Sequence, residues 1–76
     1  MFAMRYKMIG LKIAYYRKLH GYTQNQLAGK IGISTTYLGQ IERGNNGKSY
    51  SLETLFLIAG GLEIDVNLLL NANENI

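Results

Sequence analysis

The stretch Tyr22-Thr-Gln-Asn-Gln-Leu-Ala-Gly-Lys-Ile-Gly-Ile-Ser-Thr-Thr-Tyr-Leu-Gly-Gln-Ile-Glu-Arg-Gly44 decides how the rest of the chain is read. Thr23 followed three residues later by Gln26 is a capping box, in which the hydroxyl takes an orphan helix N–H and the amide reaches back to the cap. A helix therefore starts at Thr23. Leu27, Ala28 and Ile31 recur at helical spacing and give it one apolar face, after which Gly32 supplies a residue that turns left-handed at a helix end. Ile33 anchors the turn in the core. Ser34, a favoured N-cap, opens a second helix whose buried side is Leu38 and Ile41, and Gly44 closes it.

With Leu38 and Ile41 turned inward, Thr35, Thr36, Gly39, Gln40 and Arg43 are left on the outward face of the second helix. A face that is only solvated more often carries Glu and Lys, whereas Thr and Gln match base edges and thymine methyls. Two helices of this length joined by a tight turn form a helix-turn-helix, so the outward face is expected to read DNA. Gly39 is the odd member of the set. A glycine inside a helix costs about 1 kcal/mol relative to alanine, so it either lets the helix approach the groove closely or leaves a contact unmade.

From about Ile9 to Leu70 the chain resembles the Xre/Cro family of phage-repressor-like DNA-binding domains. The residues that carry the resemblance are Arg17, Thr23-Gln24, Leu27-Ala28, Gly32-Ile33-Ser34, Leu38, Ile41-Glu42 and Gly44, then Leu52-Glu-Thr-Leu55, Ile58-Ala59, Leu62 and Leu69-Leu70. The resemblance implies an all-α fold, a compact five-helix lambda-repressor-like bundle, with helices near residues 5–20, 23–31, 34–43, 51–61 and 65–70. Helices 2 and 3 are then the helix-turn-helix. Residues 1–8 read as an N-terminal extension running into helix 1, 9–70 as the DNA-binding domain and 71–76 as a short tail.

The resemblance also implies roles. Thr35, Thr36, Gly39 and Gln40 become the base-reading candidates, Gln40 because its amide offers both a donor and an acceptor to an adenine edge. Gln24 is expected to clamp the DNA backbone from the first turn of helix 2, where free N–H groups and the helix dipole favour a phosphate. Arg43, Asn45, Asn46 and Lys48 are expected on the backbone as well, although Asn and Gly there also follow from turn chemistry. Tyr37 either sets its hydroxyl on a phosphate or serves packing alone. Arg17 and Glu42 are expected to pair, tying helix 1 to helix 3, and are not DNA contacts. The implied function is a sequence-specific double-stranded DNA-binding transcriptional regulator, a repressor acting as a homodimer on half-sites about 10 base pairs apart. The alternative is an antitoxin-type regulator or helical interaction module that binds a small protein partner.

Composition agrees. The chain has 76 residues, 47% of them hydrophobic and none of them proline, which makes one small domain with one core. There is no cysteine, hence no disulfide and no thiolate metal site, and the single His20 cannot build a metal cluster, so neither metal nor cofactor is expected. The expected setting is the reducing cytoplasm. No apolar run approaches the roughly 18 residues that span a bilayer. An enzyme is not expected, because His20 has no evident nucleophile or carboxylate partner and is better placed to cap the end of helix 1 beside Gly21. The net charge of +3 is modest but segregated: Arg5, Lys7, Lys12, Arg17, Lys18 and Lys30 precede the first acid, and only acids follow Lys48. That asymmetry suits a domain offering one end to phosphates.

Two features depart from the family pattern. Gly60-Gly61-Leu62-Glu63 carries a glutamate where helix 4 usually ends on glycine, so the end is displaced or strained there, or the glycines admit a closely packed helix. On helix 1, Ile9, Ile13 and Tyr16 form the expected core stripe, yet Leu11, Tyr15 and Leu19 form a second one turned well away from it. The second stripe marks a possible partner interface; the bland alternative is scattered exposed apolar residues.

Overall fold

The computed structural model describes residues 2–44 and 50–71. Among the described residues five helices follow one another in chain order: α1 (Ala3–Leu19), α2 (Gln24–Ile31), α3 (Thr35–Arg43), α4 (Leu52–Leu62) and α5 (Asn67–Leu70). The expected all-α bundle is what forms. Two boundaries differ from the sequence reading by two residues and the rest by one or none. α1 begins at Ala3, because Ala3-Met4-Arg5 contains no helix breaker, so residues 3–8 belong to the helix itself. α5 begins only at Asn67, because the Asp65 carboxylate accepts the Asn67 N–H at 2.8 Å and holds the chain in a turn before it.

The helix ends follow local chemistry. Thr23, Ser34 and Ser51 each accept a backbone N–H with the side-chain hydroxyl, at 3.0 to 3.1 Å, at the start of α2, α3 and α4. Beyond the end of α1 the chain turns left-handed at Gly21, φ 74°, with Gly21 N–H on Lys18 O and Tyr22 N–H on Arg17 O. His20 occupies the cap position as expected, and its ring stacks on Tyr22 with centroids 5.8 Å apart.

The core is built by all five helices. Ile13, Leu27, Leu38, Ile41, Ile58 and Leu62 are wholly buried, with Leu69 of α5 closing one end. Burial of each such side chain stabilises by about 1.5–3 kcal/mol. Two close approaches fix how the helices cross. At Gly10 a Cβ would collide with the carbonyl oxygens of Ile41 and Glu42, so α1 lies directly on the end of α3. At Gly61 a Cβ would collide with Ile31, so α4 lies tight against α2; Gly60 faces open space. Glu63, at φ 59° and ψ 41°, ends α4 in the left-handed conformation that the family gives to glycine. Strain at Glu63 and close packing at Gly61 therefore both hold.

Lys12 corrects the charge reading. It is 1% exposed, and its ammonium donates to the backbone carbonyl of Asn71 at the end of α5. The sequence counted it among the cations available to phosphate, but helical phase puts it between α1 and α5.

Candidate nucleic-acid interface

The capping box forms in full, with Gln26 N–H on Thr23 Oγ1 at 3.0 Å and Thr23 N–H on Gln26 Oε1 at 2.8 Å. Gly32 then turns the chain at φ 80°, and Ser34 starts α3 only three residues after α2 ends. The turn is short enough that the first turns of α2 and α3 stand side by side. Thr35, Thr36 and Arg43 are exposed on α3, with Gln40 partly so, while Leu38 and Ile41 fill the core. One polar face and one apolar face thus lie on a single nine-residue helix.

Beneath that face runs a buried polar network. Arg17 grips Glu42 with two hydrogen bonds, Nε to Oε2 at 2.7 Å and Nη2 to Oε1 at 3.1 Å. Its remaining nitrogen Nη1 donates to Tyr22 O at 2.9 Å, which ties in the segment before α2. Gln24 Nε2 donates to Glu42 Oε1 at 3.0 Å. One carboxylate therefore joins α1, α2 and α3. Both charged side chains are nearly excluded from solvent, at 10% and 6% exposure, so each relies on the other for its solvation.

Gly39 is buried in α3, on the same helix as the exposed Thr35 and Thr36. A Cβ there would come within 3.4 Å of Arg43 Nη1 and 3.6 Å of Gln24 Oε1. These are ordinary contact distances, so the ends of Gln24 and Arg43 both lie over the helix at Gly39 and cover it. Gln24 is partly buried, its amide held by Glu42 beside Gly39. Tyr37 is partly buried against the core. Asn45, Asn46 and Lys48 lie outside the described residues. Asn25 is a residue that the sequence reading missed. It is exposed on α2, and its Oδ1 accepts the Thr35 hydroxyl at 2.8 Å. Only the ten-residue spacing across the turn pairs them, and nothing local to either residue signals it.

Lys30 stands apart from this surface. Its ammonium donates to Tyr22 Oη and to Gly61 O, both at 2.9 Å, and meets Glu63 Oε2 at 3.5 Å. The hydrogen bond with Tyr22 raises its pKa above the ordinary value, with Glu63 adding to it. The second stripe of α1 is exposed as expected: Leu11, Tyr15 and Leu19 are 51%, 41% and 65% accessible. Met4, on the same side two turns earlier, extends it.

A family model described as helix-turn-helix, HTH_3, matches residues 13–69. The transcriptional regulator SinR of Bacillus licheniformis is 39% identical over 67 residues, covering 88% of this chain and 60% of SinR. The regulator SlrR of Bacillus subtilis (strain 168) is 42% identical over 65 residues, 86% of this chain and 42% of SlrR. The chain thus spans about 60% or less of the length of these curated relatives. Among solved structures, the biofilm master regulator SinR in complex with DNA superposes with a TM-score of 0.77 at 39% identity, over 84% of this chain and 100% of that one. The SinR/SinI complex gives 0.81 at 36% identity, over 88% and 64%. With the capped helix pair, the Arg17–Glu42 tie and the five-helix order in place, the chain belongs to the HTH_3 helix-turn-helix family, as a lambda-repressor-like domain of the Xre/Cro kind.

Proposed function

We propose that this domain binds double-stranded DNA by sequence and serves a transcriptional repressor, with α3 in the major groove. The observation that carries the reading is the exposed polar face of α3, held rigid by the Arg17–Glu42–Gln24 network behind it. The likeness to SinR, a structure of which contains DNA, supports it. Gln24, Tyr37 and Arg43, with Asn45, Asn46 and Lys48 beyond them, fix the register on phosphates, and Thr35, Thr36 and Gln40 read bases. Two copies occupy an inverted repeat with half-sites about 10 base pairs apart. Repression follows from occupying promoter DNA in the cytoplasm.

Selection of bound duplexes from a random pool, at physiological salt with non-specific competitor, tests this. An enriched inverted repeat is the expected result. A pool that stays random, with weak sequence-indifferent binding, rejects the proposal.

A second reading rests on the Leu11, Tyr15 and Leu19 stripe, which a protein partner would cover; the SinR/SinI complex shows that SinR takes one. In this reading the domain also serves as an antitoxin-type regulator. Leu11→Lys with Leu19→Lys should abolish copurification of a small partner and leave duplex binding intact; unchanged complex mass in sedimentation removes the idea.

A further inference from the structure

Thr35 is the first residue of α3, and Asn25 is the second residue of α2. Both are exposed, on the two helix starts that the turn brings together. Thr35 Oγ1 donates its hydrogen to Asn25 Oδ1 at 2.8 Å. A hydroxyl has one hydrogen and two lone pairs, so once the hydrogen is engaged only acceptor capacity remains. The Asn25 amide keeps its two N–H donors, which suit an acceptor such as a phosphate oxygen.

We propose that Asn25 is a specificity-determining positioning residue, which makes Thr35 an acceptor-only reader and so selects adenine or cytosine at the base edge that Thr35 meets. In the major groove, adenine and cytosine present an exocyclic amine that donates, at N6 and N4. Guanine and thymine present O6, N7 or O4, which are all acceptors, and would set lone pair against lone pair. The inference rests on the DNA-reading proposal above. It adds a residue outside α3 and a chemical class of base.

Duplex selection on the wild-type domain, Asn25→Ala, Asn25→Asp and Thr35→Val tests it. The wild type should give a motif with adenine or cytosine at one position. Asn25→Ala frees the hydroxyl hydrogen, so discrimination at that position should fall by roughly two- to tenfold, the range of one neutral hydrogen bond, while the rest of the motif persists. Thr35→Val should relax the same position, and the double variant should relax it no further. Asn25→Asp keeps the acceptor and should keep the preference, with lower affinity at every sequence from the added negative charge. Three results overturn the inference: guanine or thymine selected at the Thr35 position, a uniform affinity loss in Asn25→Ala with every preference unchanged, or relaxation at a position that Thr35→Val leaves alone. A wild-type domain that selects no motif rejects the DNA-reading proposal itself, which is a different outcome.

Discussion

Glu63 holds a left-handed backbone at the end of α4, with its N–H on Gly60 O and the Ile64 N–H on Ala59 O. This is a Schellman end with a glutamate in the glycine place, and the Cβ makes that conformation costly by about 1–2 kcal/mol. The Glu63 carboxylate, largely in solvent, meets a partly exposed Lys30 at 3.5 Å, a contact that contributes little. Glu63→Gly should therefore stabilise the domain by about 1 kcal/mol, raising the thermal midpoint by about 4–8 °C; calorimetry of the two proteins checks it. Tyr50 offers a second test. Its ring meets Tyr6 edge-on at 5.4 Å, and its hydroxyl is buried without a hydrogen-bond partner among the described residues. Burial, with Tyr6 and Tyr37 nearby, pushes the phenol up to about 12 from its ordinary 10.0. The folded state thus resists ionisation. That contribution is fully present below pH 10 and drains away as pH rises toward 12, because the unfolded chain loses the proton first. In an absorbance titration one of the six tyrosines should ionise last, and Tyr50→Phe should remove that step while leaving stability unchanged or higher.

At the scale of elements, the Arg17–Glu42 pair decides whether α3 is presented in one orientation. Removing one partner strands the other charge away from water, so Glu42→Ala should cost about 3–5 kcal/mol. Replacing both with apolar residues of similar volume, Arg17→Met with Glu42→Leu, should recover most of that stability, yet it also releases Gln24 from its carboxylate. The double variant should melt near the wild type and bind duplex more weakly; denaturant unfolding and a binding titration separate the two effects. This pair was legible in the sequence only through the family resemblance, whereas α2 and α3 were legible from their own residues. Capping hydroxyls, the Gln26 amide and Gly32 act within four residues, so their chemistry is written locally. Gly10 and Lys12 act across helices. Gly10 makes sense only once α3 lies on α1, and Lys12 only once α5 packs beside it. The pairing of Asn25 with Thr35 was hidden for the same reason.

Across the whole molecule, the fold changes the meaning of the charge segregation. Of the six cations that precede Glu42, Lys12 is spent on the Asn71 carbonyl, Arg17 on Glu42, and Lys30 on Tyr22, Gly61 and Glu63. Arg43, by contrast, lies exposed at the end of α3. Net charge therefore overstates how many phosphates the domain can neutralise, and a salt titration measures the number directly. For duplex DNA the logarithm of affinity falls with the logarithm of salt by about 0.9 for each phosphate neutralised. Arg43→Gln should reduce that slope by about 0.9 for each subunit bound, and weaken all sequences alike if the contact is to backbone alone. Lys30→Gln should leave the slope unchanged, since its ammonium is held on the α2–α4 side by Tyr22 and the Gly61 carbonyl. A Lys30→Gln slope as shallow as that of Arg43→Gln would mean that DNA reaches across α2, and that the interface is wider than the face of α3.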